Sequence, residues 1–144
     1  MRATICKDVE DHRLEFAVIL ARHSGKLVLC RHRDRTTWEF PGGHREAGEG
    51  IAEAAARELR EETGATAEEW TPLGSLIASP GCYDEVLYLF LARGLHFGDT
   101  DPDEDEFLSL ERIPLEKLVQ RCMSGEITDA KTVCAALKAK ILQL

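Results

Sequence analysis

At 144 residues, with 44% apolar and 31% charged residues, the chain has the size and balance of one globular domain that buries its own core without disulfide help. Its formal net charge of −8 argues against a nucleic-acid polymer or an anionic membrane as main partner. No apolar run approaches the roughly 20 residues of a membrane helix and the start lacks the apolar core of a signal peptide, so a cytoplasmic protein is expected.

Residues 1–13 are mixed in polarity and carry no assigned chemistry. Leu14 to Leu20 reads as a strand, Ser24-Gly25 as a turn, and Lys26 to Arg31 as a second strand, together a hairpin. Arg31, Arg33 and Arg35 form a basic patch in an acidic chain, just before Trp38-Glu39-Phe40-Pro41-Gly42-Gly43. Cations beside a glycine turn are candidates for contact with substrate phosphate, and glycine lets backbone approach a ligand closely.

The densest chemistry follows. Within 43–65 a glycine turn is followed by a helix on which Glu58, Glu61 and Glu62 stand at i, i+3 and i+4, so the three carboxylates share a face. Like charges so close need a compensating cation, and hard oxygen donors suit Mg²⁺ or Mn²⁺, which in turn hold phosphate oxygens. The opposite stripe, Ile51, Ala55 and Leu59 with Ala52 and Ala56, is expected to lie on a sheet. Gly64 marks the helix stop.

Trp70 to Ser79 reads as a strand broken early by Pro72 and Gly74, and Ser79-Pro80-Gly81 as a turn. Glu85 to Ala92 is almost continuously apolar, as in a strand covered on both faces, which implies an α/β fold with helices on each side of a mixed sheet. Asp101, Asp103 and Asp105 alternate as in a calcium loop, but Glu106 and Arg112 stand at its glycine and glutamate positions, which excludes an EF-hand. Phe107 to Glu111 reads as a short strand. Pro114 opens a helix to Met123 with Leu115, Leu118, Val119 and Cys122 inward. Thr128 is expected to cap a last helix with the stripe Val133, Leu137 and Ile141. Cys6, Cys30, Cys82, Cys122 and Cys134 are odd in number and lack CxxC spacing, so they read as reduced core thiols. His12, His23, His32, His44 and His96 lack metal spacing and read as packing or surface residues, with His44 placed to face substrate. Trp70, Tyr83 and Tyr88 are candidates to stack on a base, core packing being the stronger reading for Tyr88.

With the pattern G-x(5)-E-x(7)-R-E-U-x-E-E-x-G-U, where U is a bulky aliphatic residue, residues 43–65 resemble the Nudix box. Gly43, Glu49, Arg57, Glu58, Leu59, Glu61, Glu62 and Gly64 match, and Ala65 departs at the last position. The resemblance implies a single Nudix domain over 1–144, an α/β/α sandwich with a mixed β-sheet. It implies a metal-dependent pyrophosphohydrolase on a small-molecule nucleotide, with Gly42 (through its carbonyl), Glu58, Glu61 and Glu62 as metal ligands, Arg57 orienting the glutamates, and Glu49 supporting them. Pro80, 15 residues after the box, the segment Asp103-Glu104-Asp105-Glu106-Phe107 and the stretch Ser124 to Thr132 resemble the ADP-ribose pyrophosphatase branch. That branch implies substrate contacts at Ser79, Pro80 and Gly81 and a general base at Glu106, with Glu104 the alternative. Arg31 to Gly50 looks instead like MutT-like members that cleave nucleoside triphosphates, where a box glutamate such as Glu61 can serve as base. ADP-ribose cleaved to AMP and ribose 5-phosphate is the leading expectation. A (deoxy)nucleoside triphosphate, or a recombined or degenerate domain with weak activity, are the alternatives. The branch also implies a homodimer, usually built by an N-terminal extension longer than the residues preceding the first strand here.

Overall fold

The computed structural model describes residues 10–98 and 108–144. A 3₁₀ turn (Asp11–Arg13) leads into β1 (Phe16–His23), β2 (Lys26–His32), β3 (Gly42–His44), α1 (Ile51–Thr63), β4 (Ala65–Ile77), β5 (Val86–Phe97), β6 (Leu108–Pro114), α2 (Leu115–Met123) and α3 (Ala130–Leu142). The sheet runs β4-β5-β1-β2-β6, with β3 on β1. β1 and β5 pair in parallel, Phe16 opposite Leu87 through Ala21 opposite Ala92, and the other pairings are antiparallel.

Period-2 alternation sorts the side chains into two layers. Val18, Leu20, Leu27, Leu29, Leu87, Leu89 and Leu91 face one way, onto Leu118 and Cys122 of α2 and Ala135, Ala136 and Ala139 of α3. Ala17, Ile19, Ala21, Val28, Phe90 and Ala92 face the other way, onto Ile51, Ala55 and Leu59 of α1. The result is the expected α/β/α sandwich. Each fully buried Leu or Ile contributes roughly 1.5–3 kcal/mol. Ala65, at the position where the box calls for a bulkier residue, is completely buried.

The hairpin exists, with Ser24 and Gly25 both at positive φ in its turn. Its strands pair only beside that turn, at Arg22–Leu27 and His23–Lys26. Beyond it the chain at 39–44 wedges between them: Cys30 and Glu39 exchange backbone hydrogen bonds, Ile19 donates to the Pro41 carbonyl, and β3 takes the start of β1. This splitting of β1 from β2 brings the glycines to the helix that carries the glutamates.

Four local expectations are corrected. β4 starts directly after the helix stop, and Pro72 and Gly74 cause a register shift within it, because an edge strand tolerates a lost donor there. In α1 the covered face holds Ala54 and Thr63 beside Ile51, Ala55 and Leu59, whereas Ala52 and Ala56 are exposed. The cap of α3 is Asp129, which accepts from Thr132 N, and its covered face is Thr132, Ala135, Ala136 and Ala139. Ile141 is 77% exposed, since small alanines let the helix approach the sheet closely and turn the larger residues outward. Cys30 and Cys122 are buried as expected, but Cys82 and Cys134 are exposed.

No helix among the described residues is long and apolar enough to cross a membrane.

Candidate active site

Arg57 is the organising side chain of the box. Its Nε and Nη2 donate to the two oxygens of Glu49 at 2.9 and 3.0 Å, its Nη1 to Glu58 at 2.8 Å and Glu61 at 3.0 Å, and its Nη2 to the His44 carbonyl at 2.9 Å. A planar guanidinium serves such a two-sided geometry, which an ammonium would not. Glu49 also accepts from Glu46 N, so one carboxylate ties the loop to the helix. The Arg57 bond holds the Glu49 carboxyl below its ordinary range, and Glu49, then Glu58 and Glu61, hold Arg57 protonated.

The start of α1 is fixed both from its own first turn and from outside the helix. Glu53 accepts from Gly50 N at 2.9 Å and Asp11 from Ile51 N at 3.1 Å, while Arg45 binds Asp11. At the far end Gly64, φ 70°, donates to the Arg60 carbonyl. Both ends pinned, the helix presents its glutamates at fixed height.

Glu58 and Glu62 line a cleft of about 280 Å³, together with Phe16, His32, Arg35, Glu39, Gly42, Gly43, His44 and Lys131. Gly42 N donates to Glu62 at 2.9 Å. Gly43 lies so close to the Glu58 carboxylate that a Cβ there would overlap it, which is why glycine begins the box. The buried Cys30 thiol donates to Glu62 at 3.7 Å and to the Glu39 carbonyl at 3.6 Å. Burial, reinforced by the Glu62 and Glu39 charges, raises its pKa and keeps it a thiol.

Among the described residues no three His, Cys, Asp or Glu side chains stand together as a ready metal cage. Glu61 is drawn to Arg57 and does not line the cleft. Glu58 and Glu62 nevertheless fit a hard divalent cation, because Mg²⁺ keeps water in its shell and is commonly held by one or two carboxylates plus substrate phosphate oxygens.

The other expected residues divide. Arg35 lines the cleft and pairs with Glu39. Arg31 lies over the Trp38 ring at 4.9 Å, and Arg33 is exposed; neither lines the cleft. Ser79, Pro80 and Gly81 fall between β4 and β5 in an exposed turn closed by bonds from Cys82 N and Tyr83 N to the Ser79 carbonyl, and they do not line it either. Glu104 and Glu106 lie outside the described residues. Trp70 and Tyr88 both pack on Phe90 in the α1 layer, and Tyr83 is 69% exposed. His44 does face the cleft, edge-on to Phe16 and paired with Glu85.

Sequence reasoning missed Glu39, Phe16, Cys30 and Lys131. Phe16 read as a strand residue, Glu39 as part of the run into the glycine turn, and Cys30 as one of several core thiols. Lys131 stands in the first turn of α3 whether Thr128 or Asp129 is the cap, so no local spacing marked it as a cleft residue.

Residues 11–135 match the NUDIX domain. The chain belongs to the Nudix family. Among its Nudix relatives, the ADP-ribose pyrophosphatase of Bacillus subtilis (strain 168) is 35% identical over 135 residues, 90% of this chain and 73% of that protein. A putative 8-oxo-dGTP diphosphatase of the same organism is 42% identical over 117 residues, 79% of this chain and 76% of that protein. A crystal structure of an ADP compounds hydrolase superposes with a TM-score of 0.79 at 26% identity, covering 89% of this chain and 71% of that one. Family and fold together make this chain a Nudix pyrophosphohydrolase, with a divalent cation as the family's usual requirement.

Proposed function

We propose that the chain hydrolyses a nucleoside diphosphate linked to a second moiety, with ADP-ribose the leading substrate and Mg²⁺ the metal, Mn²⁺ serving as alternative. The observation that carries this reading is that the Ser124 to Thr132 stretch, which resembles the ADP-ribose branch, docks on the same cleft as the box: Thr132 accepts from Phe40 N and Lys131 lines the wall. The relatives named for ADP-ribose span nearly the whole chain, which supports the same choice.

Water attacks one phosphorus of the diphosphate, the bridging P–O bond breaks, and the bridging oxygen leaves on the other phosphate, giving AMP and ribose 5-phosphate. The metal, when bound, neutralises charge on the phosphoryl oxygens and acidifies the attacking water. Glu58 and Glu62 would hold it, with Gly42 lending its carbonyl and Glu61 as a third carboxylate. Glu106, with Glu104 the alternative, takes the proton from water.

A second reading, cleavage of a nucleoside triphosphate, is favoured by the 42% identity to the putative 8-oxo-dGTP diphosphatase. A hydrolysis panel with Mg²⁺ separates the two: AMP and ribose 5-phosphate from ADP-ribose, against a nucleoside monophosphate and pyrophosphate from dGTP or 8-oxo-dGTP. Glu62→Gln is expected to lower kcat/KM by about 10²–10³-fold with folding intact. Full turnover in that variant would remove the metal role assigned to Glu62.

A further inference from the structure

We infer that Lys131 is a phosphate-binding residue of the cleft, taking the phosphoryl group that the metal-binding glutamates do not hold. This rests on the reading of the cleft as a diphosphate site. Lysine side chains on a surface roam among many rotamers, and this one is fixed. Its Nζ lies 2.7 Å from Asp129 Oδ1, 3.8 Å from Glu39 Oε2 and 5.5 Å from the centre of the Phe16 ring, with the side chain only 22% exposed.

The residue that holds it is itself held. The other oxygen of Asp129 accepts from Thr132 N at 2.9 Å and from the Thr132 hydroxyl at 2.7 Å, and that hydroxyl accepts from Phe40 N at 2.9 Å. Lys131 is therefore tied through α3 to the backbone two residues before Gly42. An ammonium has three donors. Asp129 takes one, and Glu39, at 3.8 Å, is an ion-pair neighbour beyond hydrogen-bond length.

Charge makes the assignment specific. A diphosphate entering this cleft meets the carboxylates Glu39, Glu58 and Glu62. A divalent cation offsets the pair on α1 and draws one phosphoryl group there. Among the described residues, the Lys and Arg side chains that line the cleft are Lys131 of α3 and Arg35 of the loop after β2, and both sit against Glu39. A phosphoryl oxygen beside Lys131 replaces Glu39 as its second anionic partner, and Glu39 keeps Arg35. In this arrangement Glu39 holds the ammonium ready while the cleft is without substrate. The ligand class recognised is a pyrophosphate-containing small molecule, and Lys131 makes no demand on the nucleobase.

The test uses inorganic pyrophosphate with Mg²⁺ as a probe that lacks both sugar and base. Thermal unfolding of wild type is expected to shift upward with pyrophosphate. Lys131→Met is expected to need about tenfold more pyrophosphate or above for the same shift, and Lys131→Arg to stay close to wild type. On ADP-ribose, the Lys131→Met change is expected mainly in KM, with kcat altered less. A purely structural lysine, neutralising only Asp129 and Glu39, would instead lower the unfolding midpoint by the same amount with and without pyrophosphate, and that result overturns the inference. So does a wild-type protein that pyrophosphate does not stabilise. If pyrophosphate protection depends on Lys131 while no member of the hydrolysis panel is cleaved, the proposed reaction fails and the binding role stands. If ADP-ribose is cleaved and Lys131→Met changes neither KM nor protection, the reaction stands and the binding role fails.

Discussion

The α1 wall of the cleft gathers like charges, and the α3 wall alternates them. On the α1 side Glu58 and Glu62 line the cleft, and behind them Glu49 and Glu61 share with Glu58 one guanidinium, which is outnumbered. Along the other wall Arg35, Glu39, Lys131 and Asp129 follow one another with alternating sign. The first arrangement has surplus negative charge and suits a cation from outside. The second is already neutral, and an anion enters it only by exchange. A cleft that is to bind metal on one side and phosphate on the other, as proposed, would need both.

The comparison is broken most severely at Arg57. Arg57→Met leaves Glu49, Glu58 and Glu61 without their shared cation, and kcat/KM is expected to fall roughly 10- to 100-fold, the usual cost of losing a group that orients metal ligands. Stability should fall as well, and Mg²⁺ should recover part of it by supplying the missing charge. Denaturation with and without Mg²⁺ checks this; an identical stability loss under both conditions would mean that Arg57 acts through packing of its stem.

The adjacent glycines sharpen the same contrast, because one faces the Glu58 carboxylate and the other a strand. In Gly43→Ala the new Cβ meets the Glu58 carboxylate, the movable end of a side chain. Activity should drop about tenfold through misplacement of that carboxylate, with little change in stability. In Gly42→Ala the Cβ meets the Ala17 carbonyl oxygen and comes within 3.2 Å of Val18 Cα, which are backbone atoms. Here the loss should appear as about 1–3 kcal/mol of stability. Paired assays and unfolding curves on the two variants decide; equal stability losses would contradict the assignment.

The α3 wall depends on Thr132, which is fully buried. Thr132→Val keeps the shape and removes the hydroxyl, leaving Phe40 N without its acceptor, so a cost of about 1–3 kcal/mol is expected. Chemical denaturation measures it directly, and a neutral result would show that the Phe40 amide finds another partner.

The difference between the walls also explains what could be read in the sequence. The α1 wall was legible because its parts are local: Glu58, Glu61 and Glu62 share a helix face by spacing alone, and the glycine stop fixes where that helix ends. The two sheet layers were legible in the same way, from the continuous apolar run of β5. The role of Arg57 followed from the family resemblance, and the structure supplies its bonds. The α3 wall joins residues 92 positions apart at Phe40 and Thr132, and no local period encodes such a contact. Of the stripe Val133, Leu137 and Ile141, Val133 packs on the core while Ile141 turns to solvent, for a related reason. Hydrophobicity favoured the larger residues, whereas close approach to the sheet selected Ala135, Ala136 and Ala139. Glu61 shows the limit of spacing: it shares a face with its neighbours, yet Arg57 draws its carboxylate away from the cleft.

The smallest expected effect is a dependence on pH in the link between loop and helix. The Arg57 hydrogen bonds hold the folded-state pKa of Glu49 below its ordinary value of about 4.3. The unfolded chain therefore binds a proton at Glu49 before the folded chain does. The stabilisation is fully present above about pH 4.3 and is lost as pH falls through the folded value. Comparing wild type with Glu49→Gln by chemical denaturation from pH 6 to pH 3 isolates it, since other acid-sensitive groups are common to both. The stability difference should be constant above pH 5 and narrow toward pH 3. A difference that stays constant over the whole range would mean that Glu49 holds Arg57 equally well as a neutral acid, and that the geometry of the bond outweighs its charge.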